Sequence, residues 1–186
     1  MELNLVGKTV IVTGGGSNIG RAISLSFAKE GSNVVIAEID EAQGQKVADE
    51  ANAVRGGGHT TMIKTDVTKL DDVEAMVKKA TEEFGKVDSM INNVGWDRMQ
   101  LFMETTPDFW DRIISLNYRS FLNCMKAVLP QMIEKRSGNI VNVGSDAGRV
   151  GEFREAVYSG AKGGMVALTK AVAREVGRYG IRLNVV

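Results

Sequence analysis

Six short, mostly apolar runs recur along this chain, separated by stretches of helical periodicity, and this alternation limits the fold more than any other feature. The runs are Lys8–Thr13, Asn33–Ala37, His59–Thr65, Val87–Ile91, Asn139–Val143 and a last one beginning near Arg182. They are short and largely apolar, with His59–Thr65 alternating in character, and largely apolar runs are the signature of strands buried on both faces. Strands of that kind lie parallel, and parallel neighbours need a crossover, most often a helix. The intervening stretches supply one each time. Ile19, Ile23 and Phe27 repeat at four-residue spacing; 41–55 is helical in pattern though interrupted by Gly44, and Gly56-Gly57-Gly58 stops it. Thr68-x-x-Asp71 reads as a capping box before a stripe of Val73, Met76, Val77, Ala80 and Phe84. Thr106-Pro107 opens a long helix with Trp110, Ile113, Asn117, Phe121, Met125, Val128 and Met132 on one face. Ala161, Met165, Leu168, Val172 and Val176 mark the last. The expected fold is α/β, a doubly wound parallel sheet in three layers, α/β/α.

Composition narrows the function classes. A chain of 186 residues suits one unit, here 1–186, with a full-sized core. The formal net charge is zero and no run of Lys or Arg offers a nucleic-acid face. One cysteine, Cys124, excludes an internal disulfide, and with a single histidine it argues against a Cys/His metal site. The start, Met1-Glu2-Leu3-Asn4-Leu5, has neither the basic head nor the long apolar run of a signal peptide. No stretch reaches the ~18 apolar residues of a membrane span. A soluble, cytoplasmic protein without metal, nucleic-acid or membrane partners is the expectation.

Three places carry candidate chemistry. Gly14-Gly15-Gly16-Ser17-Asn18-Ile19-Gly20 joins the first strand to the first helix. That is the context of a dinucleotide-binding turn, where glycine lets the backbone approach a pyrophosphate and the helix N-terminus offers free N–H groups; a plain tight turn has the same composition. Glu38, followed by Asp40, ends the second strand about twenty positions on. An acid there can accept both ribose hydroxyls of NAD and repels the 2′-phosphate of NADP, or it is a solvated carboxylate. Tyr158 and Lys162 stand four apart and so share a helix face. A phenol of ordinary pKa ~10 beside an ammonium is pulled toward neutrality and becomes usable in acid–base work; two surface residues make the same pattern. Ser145, at the end of the fifth run, has a hydroxyl that can reach the same point. Asn117 is the polar member of an apolar stripe, to be buried with partners or turned to solvent. Asn92-Asn93 are turn residues or a lock between loops. His59 carries no assigned chemistry.

Thr13-Gly14 through Gly20, Asp66-Val67, Asn92-Asn93-Val94-Gly95, Asn117, Ser145 and Tyr158-x-x-x-Lys162 together resemble the short-chain dehydrogenase/reductase family, over essentially the whole chain. The resemblance implies a Rossmann-type sheet and a catalytic tetrad of Asn117, Ser145, Tyr158 and Lys162. Tyr158 would exchange the substrate proton, Ser145 would bond the substrate oxygen, Asn117 would hold a water, and Lys162 would hold the nicotinamide ribose and lower the tyrosine pKa. NAD would lie against Gly14, Ser17, Asn18, Ile19 and Gly20, with its ribose on Glu38, its adenine on Asp66 and Val67, and further contacts from Asn93, Gly95, Tyr158 and Lys162. Asn18 stands where the family usually has glycine, and asparagine tolerates the left-handed backbone needed there. Val94 stands where alanine is usual. Family members usually continue past the sixth strand with a P-G loop, substrate-binding helices and a seventh strand, so the resemblance implies a chain truncated after the start of the sixth strand and C-terminally incomplete. It also implies a homodimer or homotetramer for the complete protein. Within the family, the segments 92–97, 145–150 and 155–158 are similar to 2-hydroxycyclohexanecarboxyl-CoA dehydrogenases. The expected activity is hydride transfer between NAD(H) and a secondary alcohol or ketone, a hydroxyacyl-CoA among the candidates. The rivals are a 3-oxoacyl carrier-protein reductase using NADPH, which Glu38 disfavours, and a nucleotide-binding protein without turnover.

Overall fold

The computed structural model describes residues 3–186; Met1 and Glu2, at the head of the expected 1–186 unit, lie outside the described residues. Among the described residues, six strands form one sheet: β1 (Thr9–Thr13), β2 (Asn33–Glu38), β3 (Thr60–Lys64), β4 (Ser89–Asn92), β5 (Gly138–Asn142) and β6 (Ile181–Val185). Every pairing is parallel and the order is β3-β2-β1-β4-β5-β6. The helices are α1 (Asn18–Lys29), α2 (Glu41–Asn52), α3 (Leu70–Phe84), α4 (Pro107–Ile114), α5 (Ser120–Lys135), α6 (Ala147–Val150) and α7 (Ala156–Val176). This is the doubly wound α/β arrangement expected of the alternating pattern. The strand order reverses between β1 and β4, and a crevice opens at the carboxyl ends of the strands at such a point.

The sheet separates two cores. On one face Val10, Val12, Val34 and Ile36 pack against Ala28, Val47, Ala48 and Ala51 of α1 and α2. On the other, Ile11, Val35, Met90 and Ile140 meet Met76, Phe121, Met125 and Met165 of α3, α5 and α7. Residues 10–12 and 34–36 are fully buried, as the unbroken apolar runs require.

Four local readings change. In α1 the buried face is Gly20, Ser24 and Ala28, while Ile19 is 61% exposed; small residues let the helix lie close on the sheet, so the larger side chains ride its flanks. The capping box does not form. Lys69 is the N-cap of α3 and makes no side-chain cap, because the Thr68 hydroxyl donates to Asp66 Oδ1 instead (2.6 Å). The second helix stops at Asn52, whose side chain bonds Thr60 N–H and C=O, both at 2.8 Å. Finally, the long helix after Pro107 is not uniform: Ser115–Arg119 is a π-helical turn between α4 and α5. The Thr106 side chain does cap its start, accepting from Phe109 N–H at 3.4 Å.

Candidate functional site

The first part of the site is a cleft of about 370 Å³ at the carboxyl ends of β1 to β4. Gly14, Ser17, Asn18, Ile19, Glu38, Asp66, Val67, Asn93 and Gly95 all line it. Nine sequence-derived cofactor residues therefore share one cavity.

The glycine turn is built tightly. Gly14 has φ +63° and its N–H donates to Ala37 C=O at 2.8 Å. Asn18 has φ +45°, the left-handed conformation its amide side chain tolerates. Gly20 does not line the cleft, yet a Cβ on it would lie 1.9 Å from Gly14 C=O and 2.7 Å from Asn93 Nδ2. Asn93 is the lock: its Nδ2 donates to Thr13 C=O (3.1 Å) and Gly14 C=O (3.3 Å), and its N–H to Thr13 Oγ1 (3.0 Å). The first turn of α1 carries no acidic residue, and Ser17 makes no side-chain cap. Its free N–H groups and positive dipole end thus face the cleft uncompensated, as anion binding requires. The cavity, the left-handed turn and the open helix end fit a dinucleotide.

Glu38 is 8% exposed and held in place by backbone. Oε2 accepts from Gly16 N–H (3.1 Å), and Oε1 accepts from Ile39 N–H (2.9 Å) and Asp40 N–H (3.4 Å). Burial pushes the Asp66 carboxyl up, but the Thr68 hydroxyl and N–H and the Lys69 ammonium more than offset this and hold it below its ordinary value. Val67 C=O is fixed by Asn123 Nδ2 at 3.0 Å.

The second part adjoins the cleft through Gly95. A Cβ there would lie 3.0 Å from Asn117 Oδ1 and 3.6 Å from Lys162 Nζ. Asn117 is fully buried inside the π-turn. Its amide is spent on backbone: Oδ1 accepts from Trp96 N–H (3.1 Å), and Nδ2 donates to Trp96 C=O (2.7 Å) and Ile113 C=O (3.0 Å). π-turns cluster at functional sites because they re-aim backbone groups. The Arg112 guanidinium stacks 3.9 Å from the Trp96 ring and steadies that loop.

Lys162 is only 2% exposed. Its ammonium donates to Val143 C=O at 2.8 Å and lies 5.6 Å from the Tyr158 ring centroid and 5.0 Å from that of Phe121. Burial pulls its pKa down to about 8. Tyr158 differs from expectation. Burial raises the phenol pKa, the neighbouring Ser145 hydroxyl lowers it, and Glu155 and Asp97 raise it again. The net direction is upward, so in this state the neighbouring lysine does not bring the phenol toward neutrality: its ammonium is turned to Val143. Ser145 Oγ also accepts from Ala147 N–H at 3.2 Å. Asn117, Ser145, Tyr158 and Lys162 are thus gathered beside the cleft.

Sequence reasoning missed Ile39, Thr65 and Leu116, which also line the cleft, and the carbonyl of Val143. It also missed a buried polar chain: Asn92 Nδ2 donates to Asn142 Oδ1 (2.7 Å) and Asn142 Nδ2 to Thr169 Oγ1 (2.8 Å). Polar residues at the ends of β4 and β5 were its only signal.

The buried ammonium makes a prediction. A lysine held at a pKa near 8 instead of 10.5 weakens the fold below pH 8, and the penalty fades as pH rises toward 10.5. Urea unfolding at pH 7.5 and 10 should show wild type gaining on Lys162→Met by an amount on the order of 2–3 kcal/mol. A difference that does not change with pH would show that the ammonium is not buried.

The profile of the short chain dehydrogenase family matches residues 8–186. The 3-oxoacyl-acyl-carrier-protein reductase FabG of Chlamydia pneumoniae is 36% identical over 184 residues, covering 99% of this chain and 73% of that protein. FabG of Staphylococcus aureus is 37% identical over 180 residues, 96% of this chain and 72% of the other. Among solved structures, an NAD+-bound xylitol dehydrogenase superposes with a TM-score of 0.94 at 31% identity, covering 98% of this chain and 70% of its own. The chain belongs to the short-chain dehydrogenase/reductase family, oxidoreductases that act on CH–OH groups with a nicotinamide cofactor.

Proposed function

We propose that this protein interconverts a secondary alcohol and a ketone using NAD(H), with Tyr158 as the acid–base group. The observation that carries the reading is Glu38, a carboxylate lining the cleft and pinned by the N–H groups of Gly16 and Ile39; the adenosine ribose would lie against it. A charge so placed accepts from vicinal hydroxyls and opposes a phosphate. The NAD+-bound state of the xylitol dehydrogenase neighbour supports the same choice. Bound in this cleft, the nicotinamide would give or take the hydride.

The chain's own groups do the rest. The α1 N-terminus would hold the pyrophosphate, Asp66 and Val67 the adenine, and Lys162 the second ribose. In reduction the Tyr158 hydroxyl gives its proton to the substrate oxygen while Ser145 hydrogen-bonds that oxygen; in oxidation the proton returns. Asn117, its side chain committed to Trp96, leaves its backbone carbonyl to hold a water on the proton path. The substrate is a small alcohol or ketone, or a hydroxyacyl thioester. The FabG relatives favour the thioester, and turnover of acetoacetyl-CoA compared with xylitol separates the two.

Cofactor choice tests the reading. Fluorescence titration should show NADH binding more tightly than NADPH. Loss of a charge-assisted bond pair in Glu38→Ala should shrink that ratio by about 10–100-fold. Equal affinities in wild type, or an unchanged ratio in the variant, would remove Glu38 from the role.

A further inference from the structure

Gly44 is an anomaly of α2. It lies inside a helix, where glycine is unfavourable relative to alanine, and no positive φ requires it. It is also buried. The reason lies across the gap to β2. A Cβ on Gly44 would meet Glu38 Cβ at 3.0 Å, Met62 Cγ at 2.8 Å and Met62 Cε at 3.2 Å. Met62 is a flexible side chain and can turn aside. Two Cβ atoms cannot, because each is fixed to its own backbone.

The glycine turn closes the other side of the same gap. A Cβ on Gly16 would lie 2.9 Å from Glu38 Oε2 and 3.2 Å from Gly44 N. Glu38 is thus held between two residues without side chains, one on the cofactor turn and one on α2. The start of α2 also belongs to the clamp. Ile39 and Asp40 N–H both donate to Glu38 Oε1. Asp40 is in turn the N-cap, its side chain accepting from Gln43 N–H at 3.0 Å. Gly44 N–H closes the first helical bond, to Asp40 C=O at 2.9 Å. Pushing α2 away from β2 therefore drags the donors that fix the carboxylate.

We propose that Gly44 is a specificity-determining positioning residue: by admitting α2 to within contact of Glu38, it fixes the carboxylate that discriminates NAD from NADP. The inference rests on the reading of Glu38 as the ribose acceptor. Gly44→Ala puts a better helix former into the helix, and melting each variant alongside the titration separates any stability cost of the added methyl from its effect on the carboxylate. Its effect falls on the geometry of one carboxylate.

The experiment is a double-mutant cycle read by fluorescence titration of NADH and NADPH against wild type, Gly44→Ala, Glu38→Ala and the double variant. Gly44→Ala should weaken NADH by about tenfold, the equivalent of one well-placed hydrogen bond to a charged group, and change NADPH far less. In the Glu38→Ala background the same substitution should leave the NADH to NADPH ratio unchanged. An unaltered ratio in Gly44→Ala, or an equal loss in both backgrounds, overturns the proposal while leaving Glu38 in place. An unaltered ratio in Glu38→Ala overturns the reading of Glu38 and this inference with it. Adding Met62→Ala to Gly44→Ala removes the flexible neighbour. Selectivity that returns with it assigns the effect to Met62 and also overturns the proposal.

Discussion

Gly20→Ala should lose NADH binding by at least about 100-fold, a deficit of about 3 kcal/mol or more, although the residue does not line the cleft. The added methyl would sit 1.9 Å from Gly14 C=O and 2.7 Å from Asn93 Nδ2. Neither neighbour can yield. The carbonyl belongs to the turn itself, and the Asn93 amide is already bonded to Thr13 and Gly14 C=O. The only relief is to lift α1, and its first-turn N–H groups, which face the cleft, move with it. Overpacking a tight contact costs about 1–3 kcal/mol of stability in ordinary cases, so melting should be followed alongside the titration. Gly160→Ala in α7 is the control, since nothing lies within 4 Å of its Cβ position; it should bind NADH normally. Normal binding by Gly20→Ala would mean that the turn is not the pyrophosphate site.

Tyr158→Phe should lower kcat by about 10²–10⁴-fold, the usual contribution of a general acid–base group, with little change in NADH affinity. The ring and its packing survive, and only the proton carrier goes. The pH dependence is fixed by the direction of the tyrosine shift. Burial, opposed by Ser145 and reinforced by Glu155 and Asp97, holds the phenol above its ordinary value. It is therefore protonated at neutral pH and ready for reduction, whereas oxidation needs the phenolate. Wild-type alcohol oxidation should climb with pH through the neutral range without levelling, and ketone reduction should fall only in the alkaline range. Tyr158→Phe should lose both limbs. An oxidation rate that levels below pH 8 would place the titrating group elsewhere.

Much of this was legible in the residues. Strands buried on both faces announce themselves as apolar runs, and residues 10–12 of β1 and 34–36 of β2 are fully buried. The glycine turn was legible for a different reason: its residue types suit a left-handed backbone, and Gly14 and Asn18 both have positive φ. What escaped were effects of closeness between distant segments. The α1 stripe of Ile19, Ile23 and Phe27 looked like the buried face, but helix–sheet contact selects for small residues, Gly20, Ser24 and Ala28. The spacing of Tyr158 and Lys162 left open two surface residues or a catalytic pair; Lys162 is a buried residue whose ammonium is held by a strand-end carbonyl.

The π-turn had a readable signal. Ile113, Asn117, Phe121 and Met125 follow at three successive spacings of four, which drift around an ideal helix of 3.6 residues per turn. One wide turn absorbs that drift, and it falls at Asn117. Gly44 was visible as an interruption, but its reason, the Glu38 side chain on the neighbouring strand, is a tertiary fact.

The central claim is that the cleft and the Tyr158 cluster together form one centre for NAD-dependent carbonyl chemistry. Its most direct test is to supply NADH deuterated at the nicotinamide C4 on the transferring face, with acetoacetyl-CoA and a panel of small ketones, and to read the alcohol product by mass spectrometry. Wild type should yield an alcohol carrying one deuterium on the carbinol carbon, and Tyr158→Phe should bind the same NADH yet form that product at a rate lower by about 10²–10⁴-fold. An alcohol without deuterium, no product from any member of the panel despite bound NADH, or equal rates in the two proteins would contradict the account.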